Sequence, residues 1–206
     1  MRVVYVSPTR KKRTKLALLI RYLKPALTNV LGTIKNVNNL PVLEAAKITV
    51  GDGKLKFLAT DRFSAIEHEI AYHTDTEFSY ILDAESLQLL AKLPPLQEVD
   101  FTPDGVVAKN IKFTPADLDF PTVIQNLIDA AWKDEWLEEQ GHNTVEGAIT
   151  GFKDGVITGY KPETVKHIKD VEIIPQPHGG KNARLRAPGL RGLLMGTRVK
   201  LEEMYV

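Results

Sequence analysis

The sequence contains no cysteine. Disulfides, thiolate zinc sites and a cysteine nucleophile are therefore excluded, and the composition fits a reducing compartment. No uninterrupted apolar run reaches the roughly 18 residues that a membrane-spanning helix needs, so no membrane partner is expected. The basic start is not followed by an apolar segment of the signal-peptide kind, which makes the cytoplasm the expected location. Phosphate-binding signatures are missing too. Gly179-Gly180-Lys181-Asn182 lacks the Ser/Thr and the earlier Gly of a Walker A loop, and no G-x-G-x-x-G opens a helix after a strand. Histidines are few and scattered. Glu67-His68-Glu69 is the nearest approach to a ligand cluster, but on an alternating strand its two carboxylates face one side and the imidazole the other. Ser64 lacks a G-x-S-x-G setting, and no acid, base and nucleophile stand as a partnered set. The reading is a protein that is not an enzyme and that uses no metal and no cofactor.

What is present is ordinary in amount and uneven in placement. With 206 residues, 43% of them apolar and 26% charged, the chain has material for one or two globular domains. The formal net charge is only +1. Yet the first acidic residue is Glu44, and Arg2, Arg10, Lys11, Lys12, Arg13, Lys15, Arg21, Lys24 and Lys35 all precede it. From Asp129 to Glu146 the sign reverses, and from Gly179 to the end it is basic again. Such a pattern suits a face for a polyanion, nucleic acid foremost, with acid turned elsewhere. For the Arg10–Lys15 cluster alone, a solvated tail gives the same pattern.

Periodicity suggests a repeat. Leu16 to Ile20 reads as a short strand. Lys24-Pro25 opens a helix with Leu23, Leu27, Val30 and Ile34 on one face and Lys24, Thr28 and Lys35 on the other. Residues 46–50 and 54–59 flank the turn Gly51-Asp52-Gly53, and 64–72 forms a third strand. The order then recurs: a strand over 78–82, a helix capped by Asp83 that carries Lys92, and strands over 99–102 and 106–113 around Pro103-Asp104-Gly105. Pro121 starts a helix through about Gln140, with Ile124, Leu127, Ile128, Ala131 and Trp132 inward. A hairpin around Asp154-Gly155 follows. Lys161-Pro162 opens a short helix with Lys166 and Lys169 outward, and strands over 171–174, 183–186 and 190–199 close the chain.

Three segments placed on this plan resemble the β sliding clamp of bacterial DNA polymerase III. They are Leu40-Pro41-Val42-Leu43 with Leu58-Ala59-Thr60-Asp61-Arg62-Phe63, then Asp119-Phe120-Pro121, then Leu193-Leu194-Met195-Gly196-Thr197-Arg198-Val199. The first is closest to the family's middle domain. In the last, Gly196 stands where the family has proline. Clamp chains normally carry three domains of two such units. The resemblance therefore implies a compact, shortened clamp, of a size that suits a phage-encoded protein, in which the family's first domain is missing. Residues 1–122 would form one complete clamp-like domain. Residues 123–206 would form a shortened second one with an acidic helical linker.

The resemblance further implies an α+β DNA-clamp fold of repeated strand–helix–strands units, with helices on an inner face and antiparallel sheets outside. Double-stranded DNA would be held without regard to sequence by Lys24, Lys35, Lys92, Lys166 and Lys169, residues that equally suit solubilising lysines on exposed helix faces. A pocket for short apolar peptide motifs of a DNA polymerase and a clamp loader would be walled by Thr60, Arg62, Phe63, Pro121, Leu193, Met195 and Arg198. Leu193 and Met195 also suit the core of a last strand. The implied function is a processivity clamp assembled as a homo-oligomeric ring. A clamp-like decoy that inhibits a host clamp or loader, and a basic nucleic-acid-binding module without ring closure, are the alternatives.

Overall fold

The computed structural model describes the backbone of residues 3–5, 18–34, 41–133, 143–145, 148–153, 156–160, 162–175 and 182–199, and the side chains of 18–34, 41–133, 160, 163–175 and 182–196. Lys35, the Arg10–Lys15 cluster, the Leu40 end of the first family-like segment and the acidic stretch 134–142 lie outside the described residues. So does the side chain of Arg198. The chain divides into two units, residues 1–59 with 67–120 and residues 60–66 with 121–206.

In the first unit the chain runs β1 (Val3–Tyr5), β2 (Leu18–Leu19), α1 (Ile20–Thr33), β3 (Ala45–Gly51), β4 (Lys54–Thr60), β5 (Ser64–Ala71), β6 (Phe78–Asp83), α2 (Ala84–Lys92), β7 (Glu98–Thr102), β8 (Gly105–Ala108) and β9 (Ile111–Phe113). Strand β4 ends and β5 begins in residues assigned to the second unit. The expected recurrence is real: β2-α1-β3-β4-β5 and β6-α2-β7-β8-β9 have one plan. The two copies interlock by exchanging their leading strands. Strand β2 leaves its own copy to pair with β7 of the other, and β6 pairs with β3 in return. All these ladders are antiparallel.

Each helix lays one face on this framework. Leu23, Leu27 and Val30 of α1 and Leu87 and Leu90 of α2 are fully buried, at the i, i+3, i+4, i+7 spacing that puts them on one side. Ring edges join the two copies: Phe57 and Phe101 meet at 6.1 Å with an interplanar angle of 86°, and Tyr72 reaches Phe101 at 5.8 Å. The Tyr72 hydroxyl donates to Asp100 Oδ1 at 2.9 Å and accepts from the Phe101 N–H at 3.2 Å. Asp83 caps α2 as expected, accepting from the Ser86 N–H at 2.7 Å. The Asp52-Gly53 turn has positive φ at both residues, 52° and 71°, which is the two-residue geometry whose twist matches a hairpin.

Several boundaries differ from expectation. Helix α1 starts at Ile20, before the expected Lys24-Pro25 opening, so Pro25 is its sixth residue and lies beyond the first turn. Backbone supplied from elsewhere explains the early start: the Ile20 and Arg21 N–H groups donate to Gln97 O and Pro95 O at 3.0 and 2.9 Å. The strand expected over 106–113 breaks in two at Lys109, whose φ is 52°.

The second unit holds α3 (Thr122–Lys133), β10 (Asn143–Val145), β11 (Ala148–Lys153), β12 (Val156–Tyr160), β13 (Glu172–Pro175), β14 (Asn182–Ala187), β15 (Leu190–Met195) and β16 (Thr197–Val199). The strand expected over 190–199 is broken at Gly196. Strand β15 pairs with β14, whereas β16 joins β12 in a separate sheet. In place of the short helix expected after Lys161-Pro162, residues 162–165 form one 3-10 turn. Val165 and Ile168 are buried beneath it and Lys166 and Lys169 exposed. Helix α3 is fastened to the strands by polar contacts. Trp132 Nε1 donates to Gly192 O at 3.2 Å, Arg184 Nε donates to Ala131 O at 2.7 Å, and Arg191 pairs with Asp129 at 2.6 Å. Leu127, expected inward, is exposed. Its place against the unit is taken by Ile124, Gln125, Ile128 and Asp129. At Gly192 a side chain would overlap the Ala65 carbonyl oxygen.

One buried polar pair gives the first unit a pH dependence. The His68 ring sits 3.2 Å from Asn29 Nδ2, through Nδ1, and both residues are buried. Burial holds the imidazole below its ordinary pKa. As the pH falls, the unfolded chain takes up a proton at His68 near the unperturbed value of about 6.5, before the folded chain does. Stability is therefore lost from about pH 6.5 downward, until the lowered folded value is passed. Urea unfolding between pH 7.5 and 5 should show this loss in the natural protein and a flatter profile in a His68→Gln variant. Equal pH slopes contradict the assignment.

Candidate nucleic-acid and partner-binding surfaces

Of the five lysines expected on the nucleic acid, the structure describes Lys24, Lys92, Lys166 and Lys169, and all four are exposed. Lys24 lies on α1, Lys92 closes α2, and the other two flank Ile168 in the second unit. None of them makes an ion pair among the described residues. Some cations on the strands differ. Lys54 and Lys56 both reach the Glu69 carboxylate, at 2.5 and 3.3 Å, and Arg186 reaches Glu172 at 2.8 Å. Burial raises the Glu69 pKa, but the two lysines outweigh it and leave the carboxyl below its usual range. Helix α1 contains no acidic residue at all, so its exposed face projects uncompensated positive charge. The sequence reading missed Arg21, which is exposed on the same helix. Its place one turn before Lys24 was the available signal.

The residues expected to wall a peptide pocket all belong to the second unit, and they behave differently from one another. Residues 60–64 form a tight loop built on two side chains. The Asp61 Oδ1 atom accepts from the N–H groups of Phe63 and Ser64 at 3.0 and 2.7 Å and from the Ser64 hydroxyl at 3.0 Å. The Thr60 hydroxyl donates to Ser64 O at 2.8 Å. These bonds hold Arg62 at a φ of 77°, a conformation that disfavours any residue with a Cβ. The loop turns Phe63 outward, 58% exposed. The Met195 N–H donates to Phe63 O at 2.7 Å, which sets Met195, 52% exposed, beside it. The structure therefore brings Phe63 and Met195 together, with the exposed Arg62 adjacent in the chain. Thr60 and Leu193 are buried instead, the latter as core of β15. Pro121 is partly buried, and its carbonyl receives the Ile124 N–H at the start of α3. Arg198 stands on β16, opposite Thr158 in the other sheet.

Among the described residues no group of three His, Asp or Glu side chains is placed to hold a metal. None of the described helices is long and apolar enough to cross a membrane.

Helices laid on antiparallel sheets in repeated units match the fold of solved sliding clamps. The structure superposes on the β subunit of the Streptococcus pyogenes DNA polymerase with a TM-score of 0.61 at 15% identity, covering 93% of this chain and 68% of that one. It matches the Thermotoga maritima DNA polymerase III β subunit with a TM-score of 0.63 at 12% identity, covering 95% and 68%. For the DNA polymerase sliding clamp of Bacillus subtilis the values are 0.62, 14%, 95% and 67%. At such identities the likeness speaks for the fold. In sequence, residues 15–127 match the family model for the DNA polymerase III beta subunit, N-terminal domain. That region is more than half of the chain, and the chain belongs to the DNA polymerase III beta-subunit family. No curated protein matches it in sequence. The matched domain is the N-terminal one, where the short motifs point to the middle one. Domains built on one repeat share turn and strand patterns, so short motifs separate them poorly.

The loop at 60–64 has separable stabilising and straining parts. Asp61→Ala removes an acceptor of three hydrogen bonds in a buried position and should lower stability by roughly 1–3 kcal/mol. Arg62→Gly relieves the left-handed backbone and should be neutral or stabilising, by up to about 1 kcal/mol. Chemical denaturation measures both. A destabilising Arg62→Gly contradicts the strain.

Proposed function

We propose that this chain is a non-enzymatic DNA sliding clamp, which closes as a homo-oligomeric ring around double-stranded DNA and tethers a replicative polymerase as a processivity factor. The observation that carries the reading is the set of unpaired cations on helices and turns of a chain of this family. Lys24, Lys92, Lys166 and Lys169 are exposed and without carboxylate partners among the described residues, while Lys54, Lys56 and Arg186 on the strands are paired with carboxylates. Lysines of that kind meet phosphates as point charges and carry no sequence information. A clamp that must move along DNA requires contacts of that type. In this reading Lys35 joins the set, residues 1–122 form the complete clamp-like domain, and residues 123–206 the shortened one.

The partner site of this clamp is the surface of Phe63 and Met195, with Arg62 at its edge and Thr60, Leu193 and Pro121 supporting it. Arg198 is assigned to the same site. Two exposed apolar residues whose backbones are joined by a hydrogen bond suit short peptides with Leu or Phe anchors, such as a polymerase or clamp loader presents. Methionine adapts to different anchors because its side chain is flexible and polarisable. Affinity of this kind is modest, since each anchor contributes roughly 1.5–3 kcal/mol before ordering losses.

Two variants separate the two surfaces. Reversing Lys24, Lys92, Lys166 and Lys169 to Glu should abolish binding to duplex DNA in a folded protein. In single reversals, the dependence of log K on log salt should flatten by about one unit for each phosphate that is no longer neutralised. Met195→Ala should keep duplex binding and weaken a labelled Leu/Phe-bearing peptide roughly tenfold. Unchanged duplex binding by the folded quadruple variant contradicts the DNA reading. Equal peptide binding by Met195→Ala removes the partner site and favours a decoy or simple binding module.

A further inference from the structure

The start of α1 carries a feature that binding to phosphates does not use. Tyr22 is 53% exposed although it is large and partly apolar. Its ring is not loose. The Arg21 guanidinium lies 4.7 Å from the ring centroid, and Arg21 Nη2 donates to the Tyr22 hydroxyl at 2.7 Å. The backbone beneath is fixed as well, because the Arg21 N–H donates to Pro95 O and the Ile20 N–H to Gln97 O. The tie brings in the loop 94–97, whose Leu96 is 70% exposed. At 100° per residue, Arg21 lies near the middle of the exposed arc of α1, Lys24 on one flank and Tyr22 on the other. No acidic residue stands on the helix to neutralise this arc.

We propose that the Arg21–Tyr22 pair is a stacking platform for an unpaired base of single-stranded DNA, placed beside the cations that hold the duplex. An aromatic face preset by an arginine is the element that sequence-tolerant single-strand binding uses: every base offers a π face, and the cation meets the phosphate that accompanies it. Duplex DNA has no free base face to offer, so the platform acts only where strands separate. Charge selects the occupant. An apolar peptide gains nothing from Arg21 and Lys24, whereas a nucleotide satisfies ring and cations together. The inference rests on the DNA-binding reading of α1, but its readout is separate from ring closure.

The probe is a short single-stranded oligonucleotide carrying 2-aminopurine, titrated with the full-length protein, alongside a blunt duplex of the same length. Stacking on Tyr22 should quench the 2-aminopurine. Tyr22→Ala should remove the quench and weaken single-strand binding roughly 5- to 100-fold. It should leave duplex binding unchanged and the protein folded, because no core side chain is removed. Tyr22→Phe, which keeps the ring and loses only the hydroxyl, should retain the quench. Lys24→Glu should weaken both ligands. No quench with the natural protein, or an undiminished quench with Tyr22→Ala, overturns the platform. Absence of duplex binding together with a Tyr22-dependent quench overturns the duplex reading and leaves the platform standing.

Discussion

The exchange of leading strands between the two repeats of the first unit is the constraint from which the rest follows. Strand β2 completes the sheet of the second repeat through β7, and β6 completes that of the first through β3. Neither repeat is whole without the other. The exchange also fixes the helices, because α1 follows β2 and α2 follows β6 directly in the chain. Their apolar stripes then close over a shared core in which Phe57, Tyr72 and Phe101 meet edge to face. With those stripes buried, Lys24 and Lys92 have no direction left but outward. The placement of charge is thus a by-product of how the core is assembled.

A second constraint acts on the loop at 60–64. Backbone strain at Arg62 is held by the buried carboxylate of Asp61 and the hydroxyl of Thr60. The consequence is an exposed phenylalanine bonded through its carbonyl to Met195. Phe63 and Met195, one on a stiff loop and one at a strand end, leave apolar surface in solvent that a partner can cover. The strand break at Gly196 has a related effect. It ends β15 at Met195 and sends β16 to another sheet, which leaves Met195 at a strand end.

Much of this is legible in the residues. The repeat shows in the recurring order of apolar periods and Asp-Gly turns, and the Asp83 cap in its side-chain chemistry. The outward direction of Lys24 and Lys92 follows from helical spacing. What the sequence hides is non-local. The early start of α1 depends on carbonyls of residues 95 and 97, more than seventy positions away. The break at Lys109 requires a positive φ that lysine does not advertise. Burial of Thr60 and Leu193, both expected in the pocket wall, is decided by sheet packing that alternation alone does not reveal. Strand exchange itself leaves no local mark, since a strand reads the same whichever partner it takes.

The proposed clamp works only if its subunits close into a ring. Light scattering coupled to size-exclusion chromatography, on this chain across a hundredfold range of concentration, measures whether they do. A ring predicts one species whose mass is a fixed whole-number multiple of the chain, at least twofold, and constant over the range. A monomer at high micromolar concentration contradicts it.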